Sequence, residues 1–190
     1  MATGGGGVWW PRDPRPEDVD WLTIGEALGK TPRFNGLTAG APYSVAQHCM
    51  TVADALPPDQ PDLQLAGLLH DAHEAIVGDL PHPVKATLHE LGGGEAWDRL
   101  ITAHDAAIYQ AAGLPWPLPA EWRAAIHRAD MEALATEMRD LQPEEPLCDR
   151  DLPDPWPERL KVIGWPETTD LWLQVFERLS GKSRHRGARG

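Results

Sequence analysis

Five ionisable side chains, His70, Asp71, His73, Glu74 and Asp79, fall within ten residues of the stretch LAGLLHDAHEAIVGDLPHPVK (residues 65–85). Its apolar positions, Leu65, Leu68, Leu69, Ala72, Ala75 and Ile76, have the spacing of a helix packed into a core. Burying charge is costly unless the charge is paired or bound to a metal. Two more residues of the same kind sit in line with core positions elsewhere. His48 lies one turn into another apolar helix. Asp130 shares a face with Ile126, Ala133, Leu134, Glu137 and Leu141 by its 3–4 spacing. Two histidines and two carboxylates projecting inward from three helices point to an N/O metal site. The alternative for any one histidine is an ordinary core or surface group. That is the reading taken for His82, His89, His104 and His185, while His73 and His127 stay open between support of the site and ordinary helix residues.

The elements that must position these groups are helical throughout. The pattern predicts helices over 19–28 (closed by Gly29), 44–56, 62–77 (stopped by Gly78), 84–91, 95–111, 120–141 and 168–179. Ser44 with Gln47 three residues on reads as a capping box, and Pro57-Pro58 ends that helix. A Gly-Gly-Gly break follows Leu91, and Pro-rich connections cover 115–119 and 143–166. No alternating strand pattern appears. The expected fold is an all-α bundle of six or seven helices, with a flexible or extended leader over 1–17, one domain over 18–180 and a basic disordered tail over 181–190.

The pattern His48, then His70-Asp71, then Asp130 resembles the H…HD…D signature of the HD-domain metal-dependent phosphohydrolases. The likeness extends to YSVAQHC before the first position, LLHDAHEAIVGDLPHPVK around the pair and HRAD at the fourth. These blocks resemble the 5'-deoxynucleotidase branch of the YfbR type, over roughly residues 19 to 141. The resemblance implies that His48, His70, Asp71 and Asp130 bind one divalent metal ion, since no GYP element of the two-metal cyclic-dinucleotide hydrolases follows the HD pair. N/O ligands admit manganese, cobalt, iron, zinc, nickel or magnesium. Such an ion polarises a phosphoryl oxygen and lowers the pKa of bound water, which makes a hydroxide nucleophile.

The same resemblance assigns further roles. Glu74, four residues after His70 and so on the same face of a continuous helix, matches the catalytic carboxylate that handles water or protonates the leaving oxygen. Its alternative is a solvated helix glutamate. Asp79 matches a residue that reaches the sugar or assists proton transfer, against an Asx turn in front of Pro81. Arg33, 15 residues before His48, matches an arginine that grips phosphate, with a surface arginine as the alternative. Phe34 stands where the best-known members have tryptophan, against the sugar or base. Lys85 either neutralises phosphate or is solvated. The implied activity is removal of phosphate from (deoxy)nucleoside 5'-monophosphates. The alternatives are a triphosphohydrolase releasing tripolyphosphate from dATP and a non-catalytic binding protein of the same fold.

Composition restricts the partners. Seventeen basic against 29 acidic residues give a net charge of −12, and four of the basic side chains lie in the last ten residues. Phosphates of duplex nucleic acid would be repelled by such a surface, so no duplex partner is expected, and the resemblance implies a small nucleotide as substrate. The resemblance adds homodimerisation through helices. Two cysteines, Cys49 and Cys148, make no disulfide framework, and no apolar run approaches the ~18 residues of a membrane span, so a reduced, cytoplasmic protein is expected. LGKT at 28–31 mimics the end of a P-loop but lacks the partner glycine, since position 24 is Ile24. The second AHD, at 103–105, is read as chance.

Overall fold

The first helix begins where a carboxylate can cap it. Asp20 accepts the backbone N–H of Thr23 (3.2 Å), so α1 runs Trp21–Lys30, two residues later than its apolar pattern. The computed structural model describes residues 1–4, 6–142 and 151–183. Among them are α2 (Val45–Asp54), α3 (Pro61–Leu68), α4 (Glu74–Val77), α5 (His82–Glu90), α6 (Gly94–Ala112), α7 (Ala120–Leu141) and α8 (Trp165–Ser180). Two 3-10 turns, Pro16–Asp18 and Arg33–Gly36, complete the list, with no strand among the described residues. The fold is all-α, as the periodicity predicts. Among the described residues no helix is long and apolar enough to cross a membrane.

The centre of the bundle is α2, which packs against α1, α3, α7 and α8. Almost every residue of α2 is buried, His48 and Cys49 completely. Ser44 caps it through the Gln47 N–H (3.2 Å), but the reciprocal half of the expected capping box is absent. The Gln47 side chain instead bonds the backbone of Lys161 and Ile163 (2.7 and 3.0 Å) and ties the segment before α8 to α2. Against α1 lies α8, whose buried face is Thr168, Thr169, Trp172, Leu173 and Phe176. Gly29 is not a helix stop. It lies inside α1, where a Cβ would overlap Thr169 Oγ1, so its missing side chain lets the two helices approach. The last helix starts three residues earlier than predicted because Pro166 fits its first turn, where no N–H is needed.

The largest departure from the sequence reading is in the segment predicted as one helix over 62–77. It breaks between Leu69 and His73. The Gly67 carbonyl receives both the ring Nδ1–H (2.7 Å) and the backbone N–H (3.4 Å) of His70, and tight turns follow, with Ala72 N–H on Leu69 O and Glu74 N–H on Asp71 O. A single turn, α4, resumes at Glu74 and ends at Gly78, whose φ of +80° suits glycine.

Trp9, within the predicted leader, is buried and stacks on His104 at 5.7 Å. Part of that leader therefore belongs to the core. Residues 184–190 of the basic tail, together with Cys148, lie outside the described residues.

Candidate metal centre and its cavity

Three structural devices bring the polar residues together. The buried α2 carries His48, the broken turn after α3 carries His70 and Asp71, and α7 carries Asp130. His48 Nε2 lies 3.2 Å from His70 Nε2, 3.2 Å from Asp130 Oδ1 and 3.6 Å from Asp71 Oδ2. His70 Nε2 lies 3.2 Å from Asp71 Oδ2 and 3.9 Å from Asp130 Oδ1. Donor atoms sharing one ion at about 2.1 Å stand roughly 3.0–3.4 Å apart in octahedral or tetrahedral geometry. His48, His70 and Asp71 form a group that could hold a metal ion.

The protons settle which atoms face inward. His70 Nδ1 meets a carbonyl, which can only accept, so Nδ1 carries the hydrogen and Nε2 presents a lone pair when the ring is neutral; burial opposes charge on the ring, but Asp71 outweighs it and holds the pKa well above the usual histidine value. His48 Nδ1 lies 2.6 Å from Glu137 Oε1. Burial alone would raise the Glu137 carboxyl, but His48 and Arg33 outweigh it and hold it below the usual range. Glu137 is thus an acceptor, and His48 Nε2 turns a lone pair to the cluster when the ring is neutral; burial and Arg33 oppose charge on this ring, but Glu137 and Asp130 outweigh them and raise its pKa. Burial likewise pushes Asp71 upward, yet His70, His48 and Arg33 keep it well below the ordinary aspartate value. The carboxylates here are balanced by positive charge, carried either by protons on the two imidazoles, whose pKa values are raised, or by a cation held among the neutral rings. The donor set fits a divalent ion.

Beside this centre is a cavity of about 430 Å³, within the range of roughly 300–1,000 Å³ typical of small-molecule sites. Arg33, Asp71, Glu74, Asp79, Lys85 and Asp130 supply its polar wall. Met131, Leu134 and Met138 continue from Asp130 along α7 as an apolar stripe, reaching about 12 Å by helical rise. Phe34 also lines it, with the Arg33 guanidinium 5.5 Å over the Phe34 ring.

Glu74 is the anomalous group on that wall. Only 2% of it is exposed, and its Oε2 has no hydrogen-bond partner. Its Oε1 is 4.0 Å from Lys85 Nζ, a loose pair. Burial first, then the charges of Asp71 and Asp79, raise its carboxyl well above the usual glutamate range. The solvated-face alternative is therefore excluded by its burial. Because the helix breaks, Glu74 reaches the cavity as the first residue of α4 rather than by helical repeat from His70.

Arg33 reaches the centre through backbone pairing. Arg33 N–H bonds Tyr43 O (2.8 Å) and Val45 N–H bonds Thr31 O (2.9 Å), closing the 31–45 loop at the start of α2. Its Nη1 lies 3.5 Å from Asp71 Oδ2, and its Nε and Nη2 lie 3.4 and 3.3 Å from Glu137 Oε2. It is not a surface arginine. Asp79 accepts the Phe34 N–H at 2.8 Å. Phe34 and Asn35 stand at φ of +55° and +54°, a left-handed conformation that is uncommon outside glycine. Lys85 is about one-third exposed and lines the same cavity.

Two residues escaped the sequence reading. Glu137 was visible only as one of the core-facing positions of α7. Asp105, in the AHD read as chance, pairs with His73 Nδ1 at 2.9 Å and orients this buried ring, which with Asp71 and Glu74 forms a second group that could hold a metal ion. Only the fold brings those two together. His127 is exposed and borders a second hollow that also reaches His70 and Asp130. His82 lines the main cavity, whereas His89 is a surface residue beside Asp98 (3.4 Å).

An all-helical bundle with an inward N/O donor cluster beside a cavity is the class defined by fold and site. No known protein-family model matches the chain. The chain is 37% identical over 134 residues to an uncharacterized protein of Rhodobacter capsulatus, which covers 68% of this chain and 66% of the relative. It is 35% identical over 125 residues to the uncharacterized protein YfdR of Escherichia coli, 66% of this chain and 62% of the relative. The chain thus spans just under two thirds of the length of these relatives.

Proposed function

We propose that the protein is a divalent-metal-dependent phosphohydrolase that removes phosphate from (deoxy)nucleoside 5'-monophosphates, using one metal ion and water. The observation that carries this reading is the convergence of His48 Nε2, His70 Nε2 and Asp71 Oδ2, with Asp130 Oδ1 3.2 Å from His48 Nε2, beside a cavity whose wall includes Asp71 and Asp130. The resemblance of LLHDAHEAIVGDLPHPVK to the 5'-deoxynucleotidase branch supports it. A divalent cation held by these four residues would supply Lewis-acid polarisation of the phosphate and a more acidic water.

The chain's own groups do the rest. Arg33 offers Nη1 toward the metal end and, with Lys85, balances phosphate charge. The apolar stripe Met131, Leu134 and Met138 accommodates sugar and base, and Phe34 packs beside them. Glu74, whose carboxyl is raised well above the usual glutamate range, donates a proton to the leaving 5' oxygen as the P–O bond breaks and water oxygen joins phosphorus, and the proton lost by that water restores the carboxyl. Products are a nucleoside and orthophosphate.

The test is purified protein incubated with deoxynucleoside mono- and triphosphates in manganese, cobalt, zinc and magnesium. Orthophosphate released from dAMP or dGMP, with dATP untouched, supports the reading. Tripolyphosphate from dATP, with dAMP untouched, replaces it by a triphosphohydrolase at the same metal site. Metal-loaded protein inactive on every nucleotide makes the fold a binding protein.

A further inference from the structure

Glu137 does not face the cavity, and nothing in its sequence context marks it as chemical. Yet it is completely buried and each of its oxygens has a different partner. Oε1 accepts the His48 Nδ1–H at 2.6 Å, while Oε2 takes the Nε and Nη2 edge of Arg33 at 3.4 and 3.3 Å. Each contact has a consequence at the far side of the partner. A neutral imidazole that donates from Nδ1 presents a lone pair at Nε2, the atom that lies among His70, Asp71 and Asp130. A guanidinium held along its Nε–Nη2 edge leaves the Nη1 group free to face Asp71 and the cavity.

We infer that Glu137 is a positioning residue that sets two functions at once, the metal-ligating tautomer of His48 and the phosphate-facing edge of Arg33. The inference rests on the phosphohydrolase reading and deepens it. A carboxylate suits this place because both of its oxygens accept. An amide has one acceptor and one donor, so it cannot serve both partners. If the oxygen of a glutamine faces His48, its NH2 opposes the guanidinium. If the oxygen faces Arg33, the NH2 meets Nδ1, and the imidazole hydrogen must move to Nε2, where it blocks coordination.

The test uses Glu137→Gln in the full chain, with Zn2+ as the cation and orthophosphate as the anion, both by titration calorimetry. Removing the partner that orients a metal-binding histidine typically costs 10- to 100-fold in metal affinity. Glu137→Gln should therefore weaken Zn2+ binding, or orthophosphate binding at saturating Zn2+, by about 10- to 100-fold. Both affinities within twofold of wild type, in a folded variant, would overturn the inference, and so would a lowered Tm with unchanged affinities. A measurement on the wild type keeps the idea testable should the variant not fold. In Zn2+-loaded protein, 15N NMR of the histidines should show His48 protonated at Nδ1, whereas protonation at Nε2 would overturn it. Wild-type protein that binds no divalent cation would sink the phosphohydrolase reading first, and this inference with it.

Discussion

Replacing Glu74 by methionine should make the protein more stable and nearly inactive. The carboxyl is 2% exposed and its Oε2 has no partner, which leaves a desolvation cost of about 1–3 kcal/mol uncompensated in the folded state. Its one charged contact, Lys85 at 4.0 Å, joins a partly solvated lysine and contributes under about 1 kcal/mol. Methionine has a similar length and helix propensity and removes both oxygens. The expected net gain is about 1–2 kcal/mol, and for a domain of this size each kcal/mol moves Tm by about 2–4 °C. Glu74→Met should thus melt roughly 2–8 °C higher, measured in chelator so that metal affinity does not enter. The same variant should retain its metal, because Glu74 is not among the four converging donors, and lose about 10²–10⁴-fold in kcat as a missing general acid. A lower Tm would refute the idea that this carboxyl is held against its own solvation. An unchanged kcat at saturating metal would remove it from the chemistry.

Three further outcomes follow from the geometry. His70→Ala and Asp71→Ala should each lose bound metal and hydrolysis together, and full metal content by elemental analysis in both variants would refute their assignment as ligands. Arg33→Ala should lower kcat/KM with metal content intact, and Arg33→Lys should recover it only in part, because an ammonium lacks the second edge that binds Glu137; full recovery with lysine would argue against the two-edged role. In 13C NMR, the Glu74 carboxyl should titrate well above the usual glutamate range, and Asp79→Asn should lower its midpoint by removing one neighbouring charge. Because the folded value is raised, the stability linked to this proton is complete below the unfolded glutamate pKa and is lost as pH rises through the folded one. A Glu74 midpoint in the ordinary range would count against its role as acid.

Helical period and breaker residues were enough to define the all-α class and both bounds of α7, whose long apolar face has Pro119 before it. The same pattern placed Asp130 and Glu137 in line with the core. It could not say which of them ligates. Two helical turns separate them, about 10.5 Å along the axis, and spacing alone leaves either one as the candidate. The crossing of α2 decides, putting His48 Nε2 beside Asp130 and Nδ1 beside Glu137. The apolar spacing of 65–76 similarly implied one helix, because periodicity registers burial and not backbone hydrogen bonding. The turn at His70 depends on its own ring taking the Gly67 carbonyl, a local competition invisible to an apolar pattern. Gly29 read as a stop because its helical partner lies 140 residues on, at Thr169. The pairing of His73 with Asp105 was hidden for the same reason. Residue types and local spacing are written along the chain, so the sequence determined the candidate chemistry. Contacts between distant segments exist only after packing, so the tertiary structure alone decided which groups meet.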